Sequence, residues 1–209
     1  GCVRDKVLGN HPKDYDVATA AKPEEVQALF KKTVPVGEHF GVILVIEDSH
    51  PFEVATFRSE GGYVDGRRPT QVSFTSVEED AKRRDFTVNG LYYDVKTNKV
   101  LDFVGGQEDL KKKIIRTIGT AKDRFVEDHL RMLRAVRFAV QLGFKIEDAT
   151  YNEIVANADL IQRVSSERIR DELSKTLISP APGEGLRLLD KTGLLKHILP
   201  EMELLKGCE

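Results

Sequence analysis

The apolar pattern changes its period near residues 119–121, and that change limits what this chain can fold into. Before it, apolar residues come in short runs: a β-branched stretch at 41–46 (GVILVI) and alternating residues at 52–58 (FEVATFR). After it they recur every three to four positions, as at Phe125, Val126, Leu130, Leu133, Val136, Val140 and Leu142. An α+β fold follows: a small mixed β-sheet with flanking helices over 1–119, then an all-helical domain over 120–209. The 209 residues are enough for two small domains of this kind.

Local signals place the elements. The strands at 41–46 and 52–58 pair as a hairpin around the turn signal Asp48-Ser49-His50-Pro51. Phe52, Val54 and Thr56 fall on one face of the second strand; Glu53, Ala55 and Phe57 fall on the other. Residues 24–32 form a short amphipathic helix with Pro23 near its start. Residues 59–73, with three glycines, a proline and several charges, read as a long polar loop, the kind that often carries function. Strand-like pieces at 87–93 and 99–103 join around Thr97-Asn98. A helix over 123–142 ends at Gly143. Further helices follow at 148–158, 165–178 and 184–193, the second with Ser165-Ser166 as its N-cap signal.

Charge and cysteines exclude some functions. The chain has 32 Lys and Arg against 34 Asp and Glu, a net charge of -2. There is no global basic signature, so a nucleic-acid partner would have to be met by local positive charge. No apolar stretch approaches the roughly 20 residues of a membrane span, and no signal or transit peptide pattern is visible. Cys2 and Cys208 sit near opposite ends without metal-ligand spacing, as expected of reduced thiols in a cytoplasmic protein. The chain opens on Gly1 rather than Met, which reads as a cut end.

Several clusters carry possible chemistry. Asp14 and Asp16 flank Tyr15; in an extended segment, residues two apart point to the same side. Two hard anionic oxygens on one spot suit Mg²⁺, and a plain surface turn fits the same pair. Gly1 and Arg4, near Leu8-Gly9, suit either a phosphate approach or an ordinary turn. Glu53 lies mid-strand among apolar neighbours and faces either solvent or a cation shared with Asp14 and Asp16. Arg83-Arg84-Asp85 and Asn89 form either a salt-bridged face or a hold on a triphosphate and a sugar hydroxyl. Asp128, Arg131, Arg134 and Arg137 stand at three-residue steps, a slowly drifting ridge on a helix. That ridge is either a charged face or an acceptor and donors for the edge of a base. His129 reads as a surface helix residue, not a catalyst.

Taken in order, these segments resemble the class II tRNA nucleotidyltransferase and bacterial poly(A) polymerase family, within the DNA polymerase β nucleotidyltransferase superfamily. The segments are GCVRDKVLGN, PKDYDVAT, FEVATFRSEGGYVDGRRPTQVSF, RRDFTVNGLYYD, EDHLRMLRAVRFAVQLGF and SSERIRDEL. Six in register make the resemblance specific, and it covers nearly the whole chain. It implies a nucleotidyltransferase head over 1–119 and a helical neck over 120–209. It places one further family glycine, a strand and a helix before Gly1, and a helical body and tail after Glu209.

The resemblance also implies roles. Asp14 and Asp16 would be Mg²⁺ ligands in a two-metal site, with Glu53 as the third carboxylate. Gly1 and Arg4 would meet the triphosphate, Arg84 the nucleotide and Asn89 the ribose. Asp128 and Arg131 would read the base, with Arg134 and Arg137 supporting the nucleotide. The implied reaction is attack of an RNA 3′-hydroxyl, most naturally that of tRNA, on the α-phosphate of CTP or ATP. Addition of CCA, CC or A to tRNA is the leading expectation. Tailing of RNA with AMP, or RNA binding without catalysis on the same fold, are the alternatives.

Overall fold

The computed structural model describes residues 1–12, 14–37, 41–63, 69–205 and 207. These form two compact units. One holds Val88–Gln107 and the described residues before Asp85; the other holds Asp85–Thr87 and the described residues from Glu108 on. The structure is mixed α+β, as the change in periodicity predicts. No helix of the described residues is long and apolar enough to cross a membrane.

The first unit is built on a four-stranded sheet. Its strands are β1 (Val17–Thr19), β2 (Thr33–Gly37), β3 (Val42–Glu47) and β4 (His50–Thr56), in the order β1-β4-β3-β2. The β3–β4 hairpin forms where the apolar runs predict it. Its turn is only Asp48 and Ser49, both at positive φ (47 and 66), so that Glu47 pairs with His50. This is the two-residue geometry that suits the twist of paired strands, and it draws His50 and Pro51 into β4 instead of the turn. Alternation along β4 buries Val54 and Thr56 and leaves Glu53 exposed. Helix α2 (Pro23–Leu29), with Pro23 at its first turn, supplies Val26 to a core of Ile43, Val45 and Val54. Strand β1 runs parallel to β4 with Val17 opposite Val54.

Two segments depart from expectation. Residues 59–73 are not a loop along their length. Strands β5 (Arg58–Tyr63) and β6 (Pro69–Phe74) pair antiparallel, Arg58 with Phe74 and Glu60 with Val72; residues 64–68 lie outside the described residues. A backbone ladder needs no apolar side chains, so the glycines and charges hid it. The segment 87–93 is not one strand either. Thr87–Asn89 is a 3-10 turn, and only β7 (Leu91–Asp94) pairs, with β8 (Lys99–Asp102), around Asn98 at positive φ.

At the end of β8, the Asp102 carboxylate accepts four backbone N–H groups, from Val104, Gly105, Gly106 and Gln107, at 2.9 to 3.1 Å. Partial burial would raise its pKa, but these donors outweigh burial and hold it below the ordinary 3.8. A carboxyl with a depressed folded-state pKa contributes stability that is full above its unfolded value and lost as pH falls through the folded one. Wild type is therefore expected to exceed Asp102→Asn in urea midpoint at neutral pH. That gap should close as pH drops below 3.8; a gap constant with pH would contradict it.

The second unit is mainly helical: α5 (Ala121–Glu127), α6 (Arg131–Leu142), α7 (Asp148–Ala156), α8 (Ser166–Leu177) and α9 (Pro182–Lys191). A short parallel pair, Ile114–Ile115 with Lys145–Ile146, accompanies them. Phe86 bridges to Thr117, which ties Asp85–Thr87 into this unit. The single helix expected over 123–142 is two. It breaks at Asp128, whose φ of -153 and ψ of 105 are extended, and whose Oδ1 accepts the Leu130 N–H at 3.1 Å. This short-range bond of an Asp side chain competes with helix continuation. His129 is then buried rather than exposed, its Nδ1 donating to the Phe125 carbonyl at 2.7 Å. Helix α6 ends at Gly143 with φ 66, and α8 starts after Ser165, whose side chain makes no capping bond.

Helix α6 packs on α8 and α9, and Gly185 is the point of close approach between α8 and α9. A Cβ there would stand 2.6 Å from the Thr176 methyl. Thr176 is buried and its hydroxyl is held by the Glu172 carbonyl at 3.0 Å. Gly185→Ala gains about 1 kcal/mol of helix propensity but overpacks the contact by about 1–3 kcal/mol. A net loss of stability is expected, read as a lower urea midpoint; a raised midpoint would contradict this packing.

Candidate active site

In the first unit, Asp14, Asp16 and Glu53 are all exposed. Asp16 and Glu53 each stand one residue before the registered pair Val17 and Val54, so the parallel register brings their chain positions side by side. With Val54 in the core under α2, Glu53 belongs to the opposite face of the sheet. Among the described residues, however, no three His, Cys, Asp or Glu side chains gather closely enough to hold a metal ion. The three-carboxylate cluster expected of Asp14, Asp16 and Glu53 is therefore not assembled. The donor set still suits Mg²⁺, which takes one or two carboxylates and completes its shell with water and substrate phosphate.

Three of the residues expected to meet the nucleotide, Arg4, Arg84 and Asn89, do converge. Arg4 on α1 (Cys2–Val7) is buried, pairs with Asp5 at 2.7 Å and donates Nη1 to Asn89 Oδ1 at 2.7 Å. Arg84 donates Nη1 to the Asn89 carbonyl at 3.4 Å. The 3-10 turn at Thr87–Asn89 thus ends on the residue that both arginines reach. Gly1 is the N-cap of α1 and is exposed. Cys2 is half-buried with a free thiol, and Cys208 lies outside the described residues.

Sequence reasoning missed Asp80 and Tyr92. Asp80, on helix α3 (Val77–Lys82), accepts the Tyr92 hydroxyl and pairs with Arg83 at 2.8 Å and Arg84 at 3.4 Å. Burial would raise the Asp80 pKa, but the Arg83 charge and these hydrogen bonds hold it below the carboxylate range. Burial pushes the Tyr92 phenol up, and Asp80 adds to the rise. The spacing of Asp80 three and four residues before the two arginines was a readable signal.

In the second unit, every residue of the predicted base-reading ridge has a carboxylate or arginine partner. Arg168, on α8, makes two bonds to Asp128, at 3.2 and 2.7 Å. Arg131 pairs with Glu127 at 2.5 Å. Arg134 pairs with Asp85 at 2.6 Å, and Arg137 with Glu172 at 2.5 Å. Asp128 sits in the break before α6 instead of on one helix with the arginines. Arg137 is buried in the helix packing. Burial opposes the charge of both Arg134 and Arg137. Asp85 outweighs it at Arg134, raising that pKa, whereas Arg137 is left lowered despite Glu172.

Comparison with known proteins places the chain in a family. Residues 1–116 match the Poly A polymerase head domain, and residues 143–205 match the family described as probable RNA and SrmB-binding site of polymerase A. The chain is 47% identical over 199 residues, 95% of its length, to the CCA-adding enzyme of Geobacillus thermodenitrificans. It superimposes with a TM-score of 0.85 and 44% identity on the Bacillus stearothermophilus CCA-adding enzyme solved in complex with CTP, over 93% of this chain and 47% of that one. The Thermotoga maritima CCA-adding enzyme complexed with tRNA is similar at 27% identity and a TM-score of 0.79, over 96% of this chain and 47% of that one. The chain spans about half the length of these relatives.

Proposed function

We propose a function from the premise that this chain belongs to the class II CCA-adding enzyme family, whose members share the poly A polymerase head domain: it is part of an enzyme that adds CMP and AMP to the 3′ end of tRNA. In this reading residues 1–119 are the nucleotidyltransferase head and 120–209 the helical neck, and the protein works in the cytoplasm. The single observation that carries it is the convergence of Arg4 and Arg84 on Asn89, in a unit that also exposes Asp14, Asp16 and Glu53.

In the reaction, the terminal 3′-hydroxyl of the RNA gives up its proton to water and its oxygen bonds to the α-phosphorus of CTP or ATP. The bond from that phosphorus to the bridging oxygen breaks, and pyrophosphate leaves. Asp14 and Asp16 would hold Mg²⁺, with Glu53 beside them; when bound, the cation would supply Lewis-acid activation of the attacking hydroxyl and neutralisation of charge on the leaving pyrophosphate. Gly1 and Arg4 meet the triphosphate. Asn89, held by the Arg4 guanidinium, orients the ribose, and Arg84 holds the nucleotide. Asp128 and Arg131 offer an acceptor and a donor set to a base edge. Arg168 fixes Asp128, and Arg134 and Arg137 stiffen the helix that carries the arginines.

The test is incubation of the full-length protein with a tRNA transcript lacking its terminal CCA, plus CTP, ATP and Mg²⁺, with product length and composition read by sequencing. A product ending in CCA is expected. Long A tails with CTP ignored would replace this reading with poly(A) polymerase. RNA binding without incorporation, unaltered in Asp14→Ala and Asp16→Ala, would replace it with a non-catalytic module.

A further inference from the structure

Asp80 is 2% exposed and gathers donors from three elements of the first unit. From β5 it takes the Arg58 backbone N–H at 3.0 Å. From β7 it takes the Tyr92 hydroxyl. At the end of its own helix it takes Arg83 and Arg84. Glu60, on β5, is the second acid of the cluster and pairs with Arg58 at 2.6 Å and with Arg83 at 3.1 Å. The β5–β6 ribbon is a separate two-stranded sheet, and such a ribbon is marginal without an anchor. This cluster of two acids and three arginines is an anchor at its base.

The cluster also fixes Arg84. Its guanidinium lies over the Tyr92 ring, 4.6 Å from the centroid, while Nη1 reaches the Asn89 carbonyl and Nη2 reaches Asp80. Arg84 is therefore held by a ring face, a carbonyl and a carboxylate. Its buried Nε, by contrast, makes no hydrogen bond. These three contacts fix where the guanidinium points.

We propose that Asp80 is a positioning residue for nucleotide transfer: it aims Arg84 at the nucleotide through Tyr92, and by the same carboxylate locks the base of the β5–β6 ribbon. The proposal rests on the nucleotidyltransferase reading, in which Arg84 contacts the nucleotide. An amide at position 80 would keep an acceptor for Arg58 but would set an NH₂ donor against the hydroxyl or a guanidinium. Asp80→Asn thus disturbs the aim of Arg84 at nearly constant volume. Tyr92→Phe removes only the hydroxyl and keeps the ring under Arg84.

The experiment uses the full-length protein and a tRNA lacking its terminal residues. KM for CTP, ATP and tRNA, kcat, and hydrogen exchange of the Arg58 amide are measured for wild type, Asp80→Asn and Tyr92→Phe. Asp80→Asn is expected to raise nucleotide KM roughly tenfold, as loss of a charge-assisted bond implies. The tRNA KM should hold, and the Arg58 amide should exchange faster. Tyr92→Phe should raise nucleotide KM by about threefold through the same carboxylate. A lowered melting temperature with all KM and kcat values unchanged would overturn the proposal. So would an unchanged Tyr92→Phe should the Asp80 variant fail to fold. A wild-type protein that adds no nucleotide overturns the activity reading alone. Equilibrium binding of ATP and CTP then decides: weaker binding by Asp80→Asn supports the positioning role, and equal affinity, or none in either protein, overturns it.

Discussion

Asp14→Ala and Asp16→Ala, made singly in the full-length protein, are each expected to reduce nucleotide addition by about a thousandfold or more while leaving the fold intact. The first half follows from the reaction proposed. Groups that act as one unit on a phosphoryl transfer are non-additive, so losing either ligand removes most of what both supply. The double variant should therefore be little worse than either single one. The second half follows from placement. Both carboxylates are exposed, and exposed polar substitutions usually shift stability by less than about 0.5 kcal/mol. Glu53→Ala should be milder, about 10–100-fold, as for a group that supports metal ligands from beside them. Single-turnover incorporation of labelled CTP checks the rates, and urea midpoints check the fold. A variant keeping a tenth of the wild-type rate would remove Asp14 and Asp16 from the chemistry. Reading Mn²⁺ binding by calorimetry in the same variants separates lost metal from lost turnover.

The residues that were legible in the sequence are those whose chemistry is local. Two acids two residues apart, a β-branched run beside an alternating one, and a glycine closing a helix need only neighbours in the chain. They led to the β3–β4 hairpin and to Gly143, and they mark Asp14 and Asp16 as the candidates that the incorporation assay tests. What stayed hidden depends on partners far away or on competing short-range bonds. Asp80 matters through Arg58 and Tyr92, 22 and 12 residues distant. The β5–β6 ladder is backbone to backbone, so side-chain pattern cannot report it. The break at Asp128 turns on one carboxylate oxygen taking the Leu130 N–H; apolar periodicity runs straight through it. His129 followed the same error, because a residue in a helix break does not keep the face that continuous winding assigns. The segment at 87–93 reads as a strand from its β-branched and aromatic residues, yet Val88 is buried within a 3-10 turn. Asn89, the last residue of that turn, is the one that Arg4 and Arg84 reach.

The second large effect is expected in the helical unit, at Glu172. Its side chain is 4% exposed and is shared by Arg137 at 2.5 Å, Lys175 at 3.3 Å and, more distantly, Arg134 at 3.9 Å. Arg137 is nearly as buried, and burial already draws its pKa down. Removing one partner of such a pair leaves a charge with neither water nor counter-ion, which costs about 3–5 kcal/mol. Glu172→Ala is therefore expected to be among the most damaging single substitutions in this unit, seen as a large fall in urea midpoint. The pair itself need not be stabilising relative to an apolar one, because desolvation offsets most of its attraction. Replacing both members with apolar residues of similar size, Glu172→Leu with Arg137→Met, should therefore recover most of the loss. Equal damage in the single and double variants would mean that packing volume, not the orphaned guanidinium, sets the cost. If the double variant is stable and still adds CMP and AMP, Arg137 acts on nucleotide binding only through the packing of its helix. If it is stable but raises nucleotide KM, the Arg137 charge itself supports the nucleotide.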